Sequence, residues 1–337
     1  MGFDIKRRKI LGATPAMFAG TVMANMLSST ASAENVVPQA CAEENRTRIT
    51  YFQVPMQKRW PINQRLVQGK SYAKYFTKDL VAPMDMVNAL EQGPLAPEYV
   101  PLPTVGGLAQ MMRDFSHVPV AGYAAIEDGP MAYAQSRHLF PGVTTKMFEW
   151  WFTWHPVESE RYILWFPYAH IHNSVEDPKR LQNEKLTYAE RLYGNPNHVT
   201  EYVGSMLLDG IINFDVPESL GVDRGALQKN GFVFNASGIV TPANARNSPL
   251  VLMIHLGRDT PAGMEMINRY WIGSHSSFNR FKKFPDGAKL SRDLVGKMGL
   301  DSKVAMENLA YEMALHDMTE FTCLGKFLPE IYREYGA

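Results

Sequence analysis

His316 and Glu320 stand four residues apart in MENLAYEMALHDMTEFTCLGKF, where apolar residues recur at helical spacing. On a helix that separation puts both side chains on one face, with Cβ atoms roughly 5–6 Å apart and within reach of one metal ion. Alone, such a pair is equally at home as a hydrogen-bonded surface pair. A second cluster, WFPYAHIHNS, adds His170, His172 and Asn173, and Glu201 follows in HVTEYVGSM. Together they supply at least two imidazoles and two carboxylates, a donor set suited to zinc or another divalent ion. His170 and His172 alternate along one strand end and so share a face. Both fit as ligands, or one as ligand and the other as a supporting or surface histidine.

Other residues around these clusters could do chemistry. His255 lies in the apolar strand PLVLMIHLG. It is either a satisfied core histidine or a neutral imidazole poised for acid–base work near neutral pH. Tyr162 is a core tyrosine or points its hydroxyl into a cavity. Asn173 either bonds a ligand oxygen or satisfies a turn. In the aromatic run from Arg137 to Asn173 most rings read as core. Trp150 and Trp151 are neighbours, so in a strand they face opposite sides. His155 and His198 read as surface or turn residues, and His117, His138 and His275 have no evident partner.

The elements that must hold these residues are mostly strands. Residues 106 onward carry short β-rich segments, AGYAAIE, MAYAQSRHLF, KMFEWWFTWH, RYILWFPYA, NGFVFNASGIV, PLVLMIHLG and INRYWIGSH, separated by turn signals such as Glu127-Asp128-Gly129-Pro130. Residues 174–198 form a charged insertion, partly helical. Helices are expected over 289–296 and 301–325, the last capped by Asp301-Ser302. Residues 34–105 are proline-rich, and LEQGPLAPEYVPLPTVGG reads as an extended arm. The expected fold class is α+β: a curved, mostly antiparallel sheet closing around a long C-terminal helix, which leaves a cavity for an aromatic or lipid-like ligand.

Residues 1–33 read differently. Arg7 and Arg8 sit in a basic run, a moderately apolar stretch follows, and Ala31-Ser32-Ala33 resembles a cleavage site. The expectation is a twin-arginine-type export signal and a periplasmic or secreted protein, the stretch being short and diluted for a membrane anchor. Lys plus Arg and Asp plus Glu number 34 each in the whole chain; residues 34–337 keep 30 basic against 33 acidic. That balance argues against nucleic acid or an anionic membrane as partner. No later apolar run is long enough to span a membrane. Cys41 and Cys323 are the two cysteines. Export would permit a bridge between them, and neither belongs to a CxxC.

The ordered series Tyr162, His170-x-x-Asn173, Glu201, His255, Tyr270 and His316-x-x-x-Glu320 resembles the 2,4-diacetylphloroglucinol hydrolase and phloretin hydrolase family, as does PGVTTKMFEWWFTWH…RYILWFPYAH. The resemblance spans roughly residues 106–325. It implies a zinc enzyme that hydrolyses the carbon–carbon bond between an acyl group and a phenolic ring. Zn²⁺ would be held by His170, Glu201, His316 and Glu320, while Tyr162, Asn173, His255 and Tyr270 would line the pocket of a small acylated polyphenol. It further implies a helix-grip fold of the Bet v 1 kind over 106–337, with residues 34–105 as an appendage that assists homodimer formation. The exported N-terminus departs from that family's intracellular members. Two other readings fit the residues: a non-haem iron oxygenase cleaving carbon–carbon bonds, and a non-catalytic binder of hydrophobic aromatic ligands.

Overall fold

A computed structural model describes residues 45–126 and 129–336. The export signal and Cys41 lie outside the described residues. In chain order the elements are β1 (Arg46–Arg48), α1 (Val54–Val67), β2 (Val81–Pro83), α2 (Met84–Glu91), α3 (Val105–Asp114), β3 (Ala121–Ile126), β4 (Met131–Phe140), α4 (Thr145–Trp154) and α5 (Ser159–Trp165). There follow β5 (His170–Val175), α6 (Pro178–Leu181), α7 (Tyr188–Leu192), β6 (Asn197–Val203), β7 (Met206–Phe214), α8 (Arg224–Asn230), β8 (Phe234–Asn235) and β9 (Gly238–Pro242). The last are β10 (Val251–Thr260), β11 (Gly263–Gly273), α9 (Gly287–Lys297) and α10 (Lys303–Tyr335).

Among the described residues the main sheet is antiparallel, in the order β3-β4-β11-β10-β9-β7-β6-β5, with β8 also on β10. Helix α10 packs against β3 and β4 near one edge and against β6 near the other, so the sheet curves around it. This is the expected mixed fold, a sheet closing on a long C-terminal helix. Ser302 caps α10 by accepting the Ala305 N–H, and the helix runs ten residues beyond the expected end, through Pro329. The long hydrophobic interface outweighs the lost backbone bond.

Two segments read as strands are helices. KMFEWWFTWH forms α4, because Phe148, Trp151, Phe152 and His155 recur at helical spacing and all face the core. The Asp259 carboxylate, at the end of β10, accepts the Thr145 N–H and hydroxyl at 2.8 Å each and stands in for a local cap. Trp150 and Trp151 therefore do not straddle a sheet. Trp151 is fully buried, and Trp150 stacks on Trp154 one turn away. RYILWFPYA contributes α5 and then a turn in which the Phe166 carbonyl accepts the N–H of Ala169 and of His170.

The arm before residue 105 is more helical than its prolines suggest. Pro55 occupies the first turn of α1, where a missing N–H costs nothing. Buried Asn63 of α1 donates to the carbonyls of Pro167 and His170 at 2.9 and 2.8 Å, anchoring the start of β5. Cys323 is buried on α10, its thiol against the Leu164 carbonyl.

Candidate metal centre and catalytic cavity

His170 enters the site through an irregularity. β5 pairs His170 with Glu201 but His172 with Thr200, so one extra residue bulges between them. The bulge breaks the alternation expected of His170 and His172. It turns His170 and Asn173 inward together, three residues apart, while His172 bonds Ser159 and Ser174 outside the site. His172 is thus no ligand. On β6 the inward positions are Asn197, Val199 and Glu201, and α10 brings His316 and Glu320 on one face, as their spacing requires.

The four groups converge. His170 Nε2 lies 3.3 Å from a carboxylate oxygen of Glu201 and 3.3 Å from one of Glu320; His316 Nε2 lies 3.7 Å from each. Donor atoms of His170, His316 and Glu320 all fall within 4.8 Å of one another. Each imidazole is aimed from behind: His170 Nδ1–H donates to the Tyr162 carbonyl and His316 Nδ1–H to the Tyr202 carbonyl, both at 3.0 Å. Those bonds fix the tautomer that presents an Nε2 lone pair, the usual support of a metal-bound histidine. Two donors about 2.1 Å from one tetrahedral ion are roughly 3.4 Å apart, close to the separations observed. His170 Nε2 is moreover buried without a hydrogen-bond partner. A buried imidazole nitrogen left unpaired between two carboxylates fits a shared cation.

The electrostatics agree. Burial alone would depress the His170 imidazolium, but Glu201 and Glu320 overcome it and raise the group to about 9. His316 is raised too, burial being outweighed by Glu320 and Glu201. Burial would raise Glu201, and the two histidines instead pull it down to about 2. The carboxylates therefore hold positive charge at this point, whether on protons or on a cation. Protons and ion compete for it.

The centre forms one wall of a cavity of about 80 Å³ lined by Phe152, Trp165, Phe214 and Met253 among others, and by the hydroxyl- and amide-bearing Tyr162, Asn173 and Tyr270. Tyr162 stacks on His170 at 3.7 Å and donates its hydroxyl to Glu201. Asn173 leaves its side-chain oxygen buried and unpaired. His255 bonds the Tyr270 hydroxyl through Nε2 at 2.9 Å, and burial lowers it to about 4, so it is neutral near pH 7. All eight residues singled out in the sequence thus meet at one place.

Residues 102–333 match the family model described as the DAPG hydrolase PhiG domain. A 2,4-diacetylphloroglucinol hydrolase of a Pseudomonas species is 42% identical over 292 residues, 87% of this chain and 97% of the relative. That of Pseudomonas protegens is also 42% identical, with 93% of its length covered. The chain belongs to the DAPG hydrolase family. A more distant relative, the phloretin hydrolase of Eubacterium ramulus, is 25% identical over 78% of this chain and 90% of its own. Among solved structures, the crystal structure of Ara h 8.0201 aligns with 55% of this chain and 99% of its own at 9% identity, with a TM-score of only 0.26.

Three members of the site in this DAPG hydrolase family chain escape sequence reasoning. His155, read as a surface or turn residue, is buried in the cavity wall, donates Nδ1–H to the Trp151 carbonyl at 2.7 Å and is lowered by burial to about 3. Its signal was the helical spacing from Phe148. His138, without an evident partner in the sequence, meets Asp317 at 2.9 Å in the core. Strand alternation with Ala134 and Ser136 pointed it inward. Asp317 gave no signal beyond following His316. His198, by contrast, is partly exposed against Asp209, as expected of a surface residue.

Proposed function

We propose that the protein hydrolyses the carbon–carbon bond between an acyl group and a polyhydroxylated ring of the acylphloroglucinol or dihydrochalcone type, giving a carboxylic acid and the deacylated phenol. One observation carries the reading: two buried imidazoles and two carboxylates converge on the wall of an aromatic cavity that also holds His255 and Tyr270. Relatives named as hydrolases of 2,4-diacetylphloroglucinol and of phloretin support the substrate class. We assign the ion as Zn²⁺, held by His170, His316, Glu320 and Glu201, since two imidazoles with carboxylates in a buried site are a common zinc set. Bound there, it supplies Lewis acidity and a water whose pKa falls towards ~7. Glu201 would hold the ion while also accepting the Tyr162 hydroxyl's hydrogen bond.

The chemistry asked of the side chains follows from the ring. A simple aryl carbanion is too basic to leave, whereas a polyhydroxylated ring can ketonise first. Neutral His255 accepts a proton from a ring hydroxyl and returns it to the acyl-bearing carbon, turning an enol into a ketone with no net proton change. Water then adds to the acyl carbonyl. The carbon–carbon bond breaks, its electron pair passes into the ring as an enolate, and the second water proton neutralises that oxygen. Asn173 holds a ring oxygen during these steps, a contact worth about 3 kcal/mol in a closed pocket, while Tyr270, whose proton lies on Asp317, accepts from a ring hydroxyl. Incubating the purified protein with a panel of acylphloroglucinols and dihydrochalcones, with chromatography for acid and deacylated ring, tests the proposal. Ligand binding with no acid released would leave a non-catalytic binder. Turnover that stopped under nitrogen would indicate an oxygenase.

We further propose an export signal over residues 1–33 with a periplasmic or secreted location, an N-terminal arm or small domain over 34–105, a helix-grip catalytic domain over 106–337, homodimer formation, and no role for nucleic acid. Among the described residues no helix is long and apolar enough to cross a membrane.

A further inference from the structure

Behind the cavity wall a buried polar chain runs through α10 into β4. The Tyr270 hydroxyl donates to Asp317 Oδ1 at 2.7 Å, and Asn268 Nδ2 donates to the same oxygen at 2.7 Å. His138 Nε2 meets the other oxygen, Oδ2, at 2.9 Å. His138, Asn268, Tyr270 and Asp317 are all nearly inaccessible, and Asp317 has three donors on two oxygens. A phenol has one proton. Because Tyr270 gives it to Asp317, the oxygen it turns to His255 at 2.9 Å can only accept. His255 must then carry its hydrogen on Nε2. Its Nδ1, buried and without a protein partner, keeps a lone pair. The backbone of His255 is fixed separately, its N–H on Ser237 Oγ at 2.9 Å.

We infer that Asp317, seated by His138 and Asn268, is a positioning residue that sets the tautomer of His255 through Tyr270, keeping Nδ1 free to accept a proton. This rests on the proposed hydrolysis for its consequence, though not for its geometry. Without the carboxylate, the Tyr270 proton turns towards His255 Nε2, and the imidazole hydrogen moves to Nδ1. The enzyme would then offer a donor where proton abstraction from the ring hydroxyl needs an acceptor. The logic parallels the serine-protease triad, where neutralising the buried aspartate leaves the geometry and costs about 10⁴ in kcat through the wrong tautomer. A residue that served only to hold α10 in register would leave the His255 tautomer unchanged when replaced.

The test uses the full-length, metal-loaded protein labelled with ¹⁵N-histidine. Two-bond ¹⁵N–¹H correlations report which nitrogen of His255 carries hydrogen in wild type, Asp317→Asn and His138→Gln. The expected result is Nε2–H in wild type and conversion to Nδ1–H, or a mixture, in Asp317→Asn. The kcat of that variant should fall about 10²–10⁴-fold, with KM and metal content near wild type. His138→Gln keeps the carboxylate and a donor to it, and should retain the wild-type tautomer with a loss of roughly tenfold or less. Should Asp317→Asn not fold, Tyr270→Phe severs the same link, and its His255 must lose the Nε2–H preference. An unchanged tautomer in the severed variants, or loss of metal from Asp317→Asn, would overturn the inference. Absence of acid release by wild type would instead remove the proposed function and leave the tautomer result standing.

Discussion

The two faces of the main sheet do different work. Along β10, Val251, Met253 and His255 point to α10 and the cavity, while Leu252, Ile254 and Leu256 point to a second core. That outer core takes Leu108, Met111 and Phe115 around α3 and Ile267 and Trp271 from β11, and beside these apolar side chains it buries Arg269 against Gln135. The inner face buries His138, His170, His255, His316, Asp317 and Glu320 instead. Burying so many ionisable groups is costly unless each is paired or coordinated. Apolar burial on the other side of the same strands offsets that cost. Stability and chemistry are thus divided between alternate residues of one strand, and a substitution should affect one or the other according to its parity.

The sharpest break of this division is on the inner face. His255→Ala should lower kcat about 10²–10⁴-fold, the usual worth of a positioned acid–base group, with little change in Tm, as steady-state kinetics and thermal melts would show. Glu320→Ala should reduce both bound metal and turnover. Unchanged values of both would remove Glu320 from the centre. One residue earlier on β10 the effects should invert. Ile254→Ala should cost about 2–5 kcal/mol in denaturant unfolding while turnover per folded molecule stays as it was. If Ile254→Ala changed kcat as much as stability, the two faces would not be separable.

Smaller effects sharpen the same contrast. In chelated protein, His170 and His316 hold protons that the unfolded chain, with histidines near 6.5, releases as pH rises. Their stabilisation is therefore present below pH 6.5 and lost as pH rises towards about 9. His155 and His255 behave oppositely: held near 3 and 4, they stay neutral while the unfolded chain takes up protons below 6.5, so stability falls as pH drops. Metal-free protein should show a Tm maximum near pH 6.5, and restored ion should flatten the alkaline limb. The smallest effect is expected at the α4 cap, where Asp259→Ala should cost about 1 kcal/mol and leave turnover alone.

Much of the site was legible because its spacing is local. His316 and Glu320 needed one helical turn and His255 an apolar strand, whereas Glu201, Tyr162, Asn173 and Tyr270 were given their places by the family resemblance. What stayed hidden depends on tertiary context. Nothing in HIHNS announces the bulge after His170, so the pairing of His170 with Asn173 could not be read, and His172 passed for an equal candidate. α4 departs from the expected strand: tryptophan and phenylalanine favour strands by type, whereas their spacing from Phe148 to His155 is helical. Its cap comes from Asp259, more than a hundred residues away. Asp317 and His138 become meaningful only when α10 lies across β4.

The most direct measurement combines elemental analysis with acid release from an acylphloroglucinol, before and after chelation and re-addition of zinc. The account predicts stoichiometric divalent metal in wild type, turnover lost with the ion and recovered on its return, and neither metal nor turnover in His170→Ala. Undiminished acid release by protein shown to be metal-free would contradict it.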